Sequence, residues 1–250
     1  MIKKFFICCF IEVLLLAISQ VPSWMDVHAS AAMQMEPDWL VTKFLSQKSG
    51  TWYDEDGNEV LRITDTSING CAVVGGYQFA GGNPGAVGYI RIREQAGYRD
   101  IKLTIEGNWN KFLVMDDQVA LQRSKHPMYT ESVEGIYLGI SEKKTVQKLG
   151  NPDQRYAWRD GERFVYRAYG MNIAFAHHMA IEIDLQRGYP WKLDGSGLTC
   201  DDALSTYQQV YHFKKTPYEG QYGGVAFGTD SEYMWFDKYP QQLTLNIYNN

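Results

Sequence analysis

Cysteine and histidine are scarce in this chain, four and five of 250 residues. Basic blocks are missing, and after the first thirty residues no long apolar run occurs. Each shortage excludes something. Nucleic-acid binding rests on Lys and Arg neutralising phosphates, and a chain of net charge −5 without a basic cluster is poorly suited to it. The only adjacent histidines, His177 and His178, face opposite sides if they lie on a strand, so they do not share a metal. Glu182 and Asp184 do share a face, but catalytic zinc wants three converging protein ligands. Gly195-Ser196-Gly197 lacks the outer glycines of the esterase elbow, where Asp194 and Leu198 stand instead. Gly81-Gly82-Asn83-Pro84-Gly85 lacks the Gly-Lys-Ser/Thr ending of a phosphate loop. Asp54-Glu55-Asp56-Gly57-Asn58-Glu59 starts like a calcium loop but carries Glu59 where the loop needs glycine, and reads as a hairpin turn. No catalytic residue, metal site or cofactor is expected.

What is present begins with a targeting segment. Lys3 and Lys4 precede the apolar run from Phe5 to Ile18, and Ala29-Ser30-Ala31 offers small residues at the cleavage positions. Residues 1–31 therefore read as a signal peptide, although Glu12 interrupts the run, which is short for a bilayer-spanning helix. Cys8 and Cys9 lie inside the run rather than after it, which argues against a lipid anchor. The expectation is an exported protein, periplasmic or extracellular, with no transmembrane segment after cleavage. Cleavage leaves Cys71 and Cys200. They could form a disulfide across a long loop, worth about 3–5 kcal/mol, or remain two separately buried thiols.

The remainder divides in two. Residues 32–123 open with a short amphipathic helix at Pro37–Leu45, with Trp39, Leu40, Phe44 and Val41 assigned to its apolar face. Alternating runs follow at 60–63, 87–92 and 101–105, bounded by Asp-Gly, Asn-Gly and other glycine-rich turns, which predicts an antiparallel β-meander or small barrel. Gly50-Thr51-Trp52 opens the first strand and Arg123 ends the last. In this the segment resembles calycins, the lipocalin-like barrels, and the resemblance implies that the Arg packs over the Trp as a cation–π contact. It also implies a ligand pocket, although the span is short for a barrel with a cavity.

Residues 124–134 form a polar linker, and 135–250 an α+β domain. Its first segment, Gly135 to Pro152, predicts a strand and then a helix with Ser141 as N-cap, Glu142 in the first turn, Val146 and Leu149 inward, Gly150 as the left-handed cap and Pro152 as the stop. The pattern Ile136-Tyr137-Leu138-Gly139-Ile140-Ser141, then Val146-x-x-Leu149-Gly150-x-Pro152, resembles the SmpA/OmlA-like extracytoplasmic proteins and the related β-lactamase-inhibitor-like fold. That resemblance implies short helices on an antiparallel sheet and protein–protein contact at the cell envelope. Strands are expected at 164–166 and 171–185, with a turn near His177-His178. A second helix capped by Thr199 and Asp202 should bury Leu204, Tyr207, Val210 and Tyr211. Two closing strands at 233–236 and 243–248 should be joined at Tyr239-Pro240. The helix-and-strand pattern thus occurs twice.

The fold class is mainly β with α+β: a meander or small barrel followed by an antiparallel unit with two short helices on a sheet. The function that fits is non-enzymatic binding outside the cytoplasm, with an envelope or extracellular protein or glycan as partner. The rivals are a carrier of a small apolar ligand and a secreted hydrolase using carboxylates that the sequence does not single out. Tyr98, Trp109 and Trp191 lie nearest to turns, and are the aromatic residues expected at an exposed binding surface.

Overall fold

A computed structural model describes residues 34–82, 85–107, 111–127, 129–159, 161–211, 218–219, 225–228, 233–237 and 242–247. The expected signal peptide, Trp109 and the Tyr239-Pro240 turn lie outside the described residues. Glu36–Asn250 forms one compact unit. It is mostly β, with a closed barrel and an eight-stranded open sheet, in agreement with the expected class. Among the described residues no helix is long and apolar enough to cross a membrane.

The barrel is antiparallel and built in chain order from β1 (Gly50–Tyr53), β2 (Glu59–Ile63), β3 (Ser67–Ile68), β4 (Cys71–Ala80), β5 (Val87–Glu94), β6 (Gly97–Glu106), β7 (Phe112–Met115) and β8 (Val119–Gln122). Closure occurs where β1 meets β8 at Tyr53 and Gln122. Eight strands fit the short span because several are only two to five residues long. Alternation sends Leu61, Ile63, Ile90, Ile92, Ile101 and Leu103 inward, where they form one cluster with Trp52 and Leu113.

Helix α1 (Asp38–Ser46) contributes Val41, Phe44 and Leu45 to that cluster. Its buried stripe continues at helical spacing to Lys48, while Trp39, expected on the inner face, is 66% exposed. Phe44 stacks on Phe79 with centroids 4.3 Å apart. Gly88 makes room for that pair: a Cβ there would stand 2.2 Å from the Phe79 ring, closer than packed atoms approach.

Trp52 is fully buried and donates Nε1 to the Lys48 carbonyl at 2.8 Å. The Arg123 guanidinium lies 4.2 Å from the Trp52 ring centroid and donates to the carbonyls of Ser49 at 2.7 Å and Gln47 at 3.2 Å. The Arg–Trp contact is therefore present, with the turn after α1 as its lid.

The short hairpin β9 (Ser132–Val133) and β10 (Ile136–Tyr137) leads into α2 (Glu142–Leu149). Ser141 Oγ accepts from Lys144 N at 3.2 Å, and Gly150, at φ +80°, donates its N–H to Val146 O at 2.9 Å. The Ser141 cap is formed as predicted; Gly150 ends the helix at positive φ but with ψ −170°, extended rather than in the left-handed helical region. The open sheet follows from β11 (Gln154–Trp158), β12 (Gly161–Tyr166), β13 (Met171–Ala176) and β14 (Met179–Gln186). The chain then makes α3 (Leu204–Tyr211) and β15 (Tyr218–Glu219), β16 (Val225–Gly228), β17 (Tyr233–Asp237) and β18 (Gln242–Asn246). The spatial order is β11-β12-β13-β14-β18-β17-β16-β15, all antiparallel. Each helix thus precedes a four-stranded meander, and the two meanders join at β14 and β18.

One face of this sheet carries Phe164, Ile173, Ile183, Leu243 and Leu245, all buried in a second cluster that Val146 and Leu149 of α2 pack against. Tyr207 of α3 joins it, with its ring edge-on to Phe236 at 4.5 Å and its hydroxyl donating to Thr199 O at 2.8 Å. Thr199 does not cap this helix. Its N–H and hydroxyl both donate to Asp202 Oδ2 and close a separate turn, so α3 begins at Leu204 and Val210 points outward.

Among the described residues, Glu55, Asp56 and Glu106 bond the barrel to α2 and to the sheet. The β1–β2 turn is closed by Asp54 Oδ1, which accepts from Asp56 N and Asn58 N, while Glu55 caps α2 from outside by accepting from Ser141 N and Oγ. Lys144 Nζ reaches Asp56 Oδ1 at 2.7 Å. At the β13–β14 turn, His177 Nε2 lies 3.1 Å from Glu106 Oε1 on β6. Phe112 of β7 turns away from the barrel interior and enters the sheet's cluster.

Candidate interaction face

The face of the sheet away from the two helices is polar. Strand alternation and register put Tyr156, Arg163, Ala174, Glu182, Asn246 and Tyr233 in one row across β11, β12, β13, β14, β18 and β17. Asn172, Asp184, Thr244 and Trp235 form the adjoining row. Arg163 stands at the centre. Its Nη1 donates to Asp184 Oδ2 at 2.9 Å and its Nη2 to Glu182 Oε1. Thr244 Oγ1 donates to Asp184 Oδ1 at 2.7 Å, and Asn246 Nδ2 to Glu182 Oε2 at 2.9 Å. Every carboxylate oxygen therefore has a fixed donor.

All three charged groups are largely buried, and the cost of burying such a group is offset only by the bonds it makes. Burial pushes the Glu182 carboxyl above its usual range, reinforced by the charge of Asp184 and opposed by Arg163 and Arg159. Burial raises Asp184 as well, opposed by the Thr244 hydroxyl and by Arg163.

Toward the edge strand the face becomes aromatic. The guanidinium carbons of Arg163 and Arg159 each stand 4.5 Å from the Trp158 ring centroid. Arg163 Nε is buried with no hydrogen-bond partner among the described residues. Tyr156 is 46% exposed, and Arg155 lies over the buried Phe164 ring at 4.3 Å on the opposite face. Strand β11 pairs only with β12 among the described residues, in unbroken register, and all its residues except Trp158 are exposed.

The residues singled out from sequence fall elsewhere. Tyr98 is 65% exposed at the β5–β6 turn, within reach of Arg93 Nη2 at 3.4 Å. Trp191 is not a surface residue: it is 3% exposed, belongs to the sheet's cluster and donates Nε1 to Gln186 O at 2.8 Å. Proximity to a turn failed as a guide because the loop after β14 folds back over the core. Cys71 and Cys200 are free thiols, and each packs against a different cluster, so the bridge between the halves is not formed. Burial lifts the Cys200 thiol to about 11, which keeps it protonated and unreactive at neutral pH.

Ser196 sits in a structural clasp. Tyr211 OH lies 2.5 Å from Ser196 Oγ and 2.5 Å from Glu131 Oε1, and the buried Glu131 carboxylate also accepts from Gly195 N and Ser196 N. His177 and His178 form the turn itself, both at positive φ, and pair with different acids, Glu106 and Glu142.

Sequence reasoning identified Glu182 and Asp184 as sharing a face but missed Arg163, Thr244 and Asn246. The available signal was the repeated polar-apolar alternation of Glu182-Ile183-Asp184 and Thr244-Leu245-Asn246, which marks a strand polar on one side. No family model, no curated protein and no solved structure matches this chain.

Proposed function

We propose that the chain is an exported, non-enzymatic binding protein that holds an envelope or extracellular partner against the helix-free face of its open sheet. The export reading rests on the sequence of residues 1–31. The binding reading rests chiefly on one observation: a polar sheet face, clear of helices among the described residues, whose charged centre is locked internally and whose border carries Tyr156, Trp158 and the Arg159 guanidinium. Aromatic and arginine side chains are the residue types that supply most of the energy at interfaces. The locked centre gives the face a fixed shape, and the border supplies adaptable contacts. The barrel is read as the scaffold that braces the sheet, because its described interior is lined by its own side chains.

The test is retention of envelope proteins by the immobilised chain, run beside a Tyr156→Ser/Trp158→Ala variant. The reading expects a partner that the variant fails to retain. Equal retention by both chains would contradict it, whatever partner is recovered.

A hydrolase is the second reading, favoured by the convergence of Glu182 and Asp184 with raised carboxyl pKa values. A general acid or base needs an oxygen free to reach substrate, and all four oxygens here are engaged. Hydrolysis of a glycan or ester substrate that Glu182→Gln abolishes in a folded variant would establish the enzyme and overturn the binding proposal.

A further inference from the structure

Strand β11 is an exposed edge of unusual make-up. Natural sheets usually blunt an edge with proline, a bulge or a covering segment, because unpaired backbone groups recruit other strands. Between Gln154 and Trp158 there is no proline, glycine or bulge. Within Gln154–Arg159 the charge has one sign, two arginines and no acid, with Asp153 and Asp160 flanking it in sequence. Neither Arg155 nor Arg159 forms an ion pair among the described residues. Each is instead held beside an aromatic ring, Arg155 at Phe164 and Arg159 at Trp158. A guanidinium lying over a ring keeps its N–H edge directed outward, where it fits a carboxylate bidentately.

We propose that β11 is a docking edge for an extended acidic segment of a partner protein, which adds to the sheet as a new edge strand. The proposal rests on the binding reading above and names the chemistry of its partner. Side chains alternate across the sheet, so Arg155 projects on the helix side and Tyr156 and Trp158 on the polar side. An added strand that places a carboxylate beside Arg155 therefore places its next side chain beside Tyr156. Two positions further on it meets Trp158, beside whose ring, on the same polar side, the Arg159 guanidinium lies. The segment that fits has a carboxylate beside Arg155, then an apolar or aromatic residue beside Tyr156, and two positions after that a second carboxylate on the polar side for Arg159. Antiparallel pairing of two copies of β11 about Ala157 would set Arg155 against Arg159, like charge against like.

The probe is a blocked synthetic peptide with the core Glu-Tyr-Thr-Glu, titrated into the full chain. Binding should weaken about tenfold when both glutamates become glutamine, and about tenfold when the chain carries Arg155→Gln and Arg159→Gln. The two changes together should add little to either alone, because they remove the same pairs. N-methylation at alternate peptide residues should abolish binding in one register and spare it in the other, the mark of a strand ladder.

Strand addition is overturned by absence of peptide binding, by N-methyl effects equal in both registers, or by equal binding of a lysine-ended peptide. Concentration-dependent dimerisation of the chain alone, lost in the arginine variant, would also overturn it by assigning the edge to a second copy. Failure of the peptide while Tyr156- and Trp158-dependent retention persists would remove strand addition and leave the binding reading standing.

Discussion

Lys48 in the barrel and Arg163 in the open sheet are both cations shielded from solvent, and the two regions treat them in opposite ways. In the barrel, Lys48 is fully buried against the Phe44 ring at 3.5 Å, and its ammonium donates to the Gly85 carbonyl at 3.2 Å. Burial brings its pKa down to about 8. In the sheet, Arg163 faces two carboxylates that receive further donors from Thr244 and Asn246. An amine can surrender its proton when desolvated, whereas a guanidinium cannot and must be paired. The barrel's cation thus sits at the end of an apolar stripe that runs one turn too far. The sheet's cation organises a face. This contrast is why the proposed binding face is placed on the sheet.

The largest effect expected from breaking the contrast is at Arg163. Arg163→Met leaves Glu182 and Asp184 buried together without their cation, and should cost about 3–5 kcal/mol in denaturant unfolding at neutral pH. Replacing both acids by their amides in the same variant should recover much of that loss, since the uncompensated charge disappears.

Lys48→Met should do the reverse and stabilise the chain by about 1–2 kcal/mol at pH 7, the gain being offset in part by the orphaned Gly85 carbonyl. The sign follows from the shift: Lys48 holds its proton less tightly folded than unfolded, so its cost is full below about 8 and fades toward the ordinary value of 10.5. Unfolding midpoints of the two chains should therefore converge as pH rises through that window.

A smaller effect is expected where the two regions meet. Hydrogen bonding to Glu106 raises the His177 pKa above its usual value. Its contribution is fully present below the ordinary histidine range and is lost as pH rises through the raised folded value. His177→Asn, which tolerates the positive φ of this turn, should cost about 0.5–1 kcal/mol in acid and nothing in alkali. A cost that grew with pH would show that the contact is not the charged pair described.

Much of the barrel was legible in the sequence because alternation between glycine-rich turns is a local signal, as at Val60–Ile63 and Val87–Ile92. The caps of α2 were legible for the same reason: Ser141, Gly150 and Pro152 act within one turn of themselves. Local signals misled at Trp39, where the true stripe runs from Val41 to Lys48 and includes a charged residue that a hydrophobic pattern skips. They misled again at Thr199, whose bond to Asp202 closes its own turn instead of starting α3. The polar face was half legible. Glu182 and Asp184 share a side by simple alternation, but Arg163 lies 19 residues before Glu182 and Asn246 lies 64 after it. Only the order β12-β13-β14-β18 brings them together, and strand order is not written in local spacing. Trp191 shows the converse, a residue beside a turn that long-range packing buries.

The binding assignment is tested most directly by amide hydrogen exchange on the chain with and without the partner it retains from the envelope fraction. Slowed exchange is expected in Gln154–Trp158 and across β18, with the Tyr98 turn of the barrel unchanged. Protection confined to the barrel, with β11 and β18 exchanging as in the free chain, would contradict it.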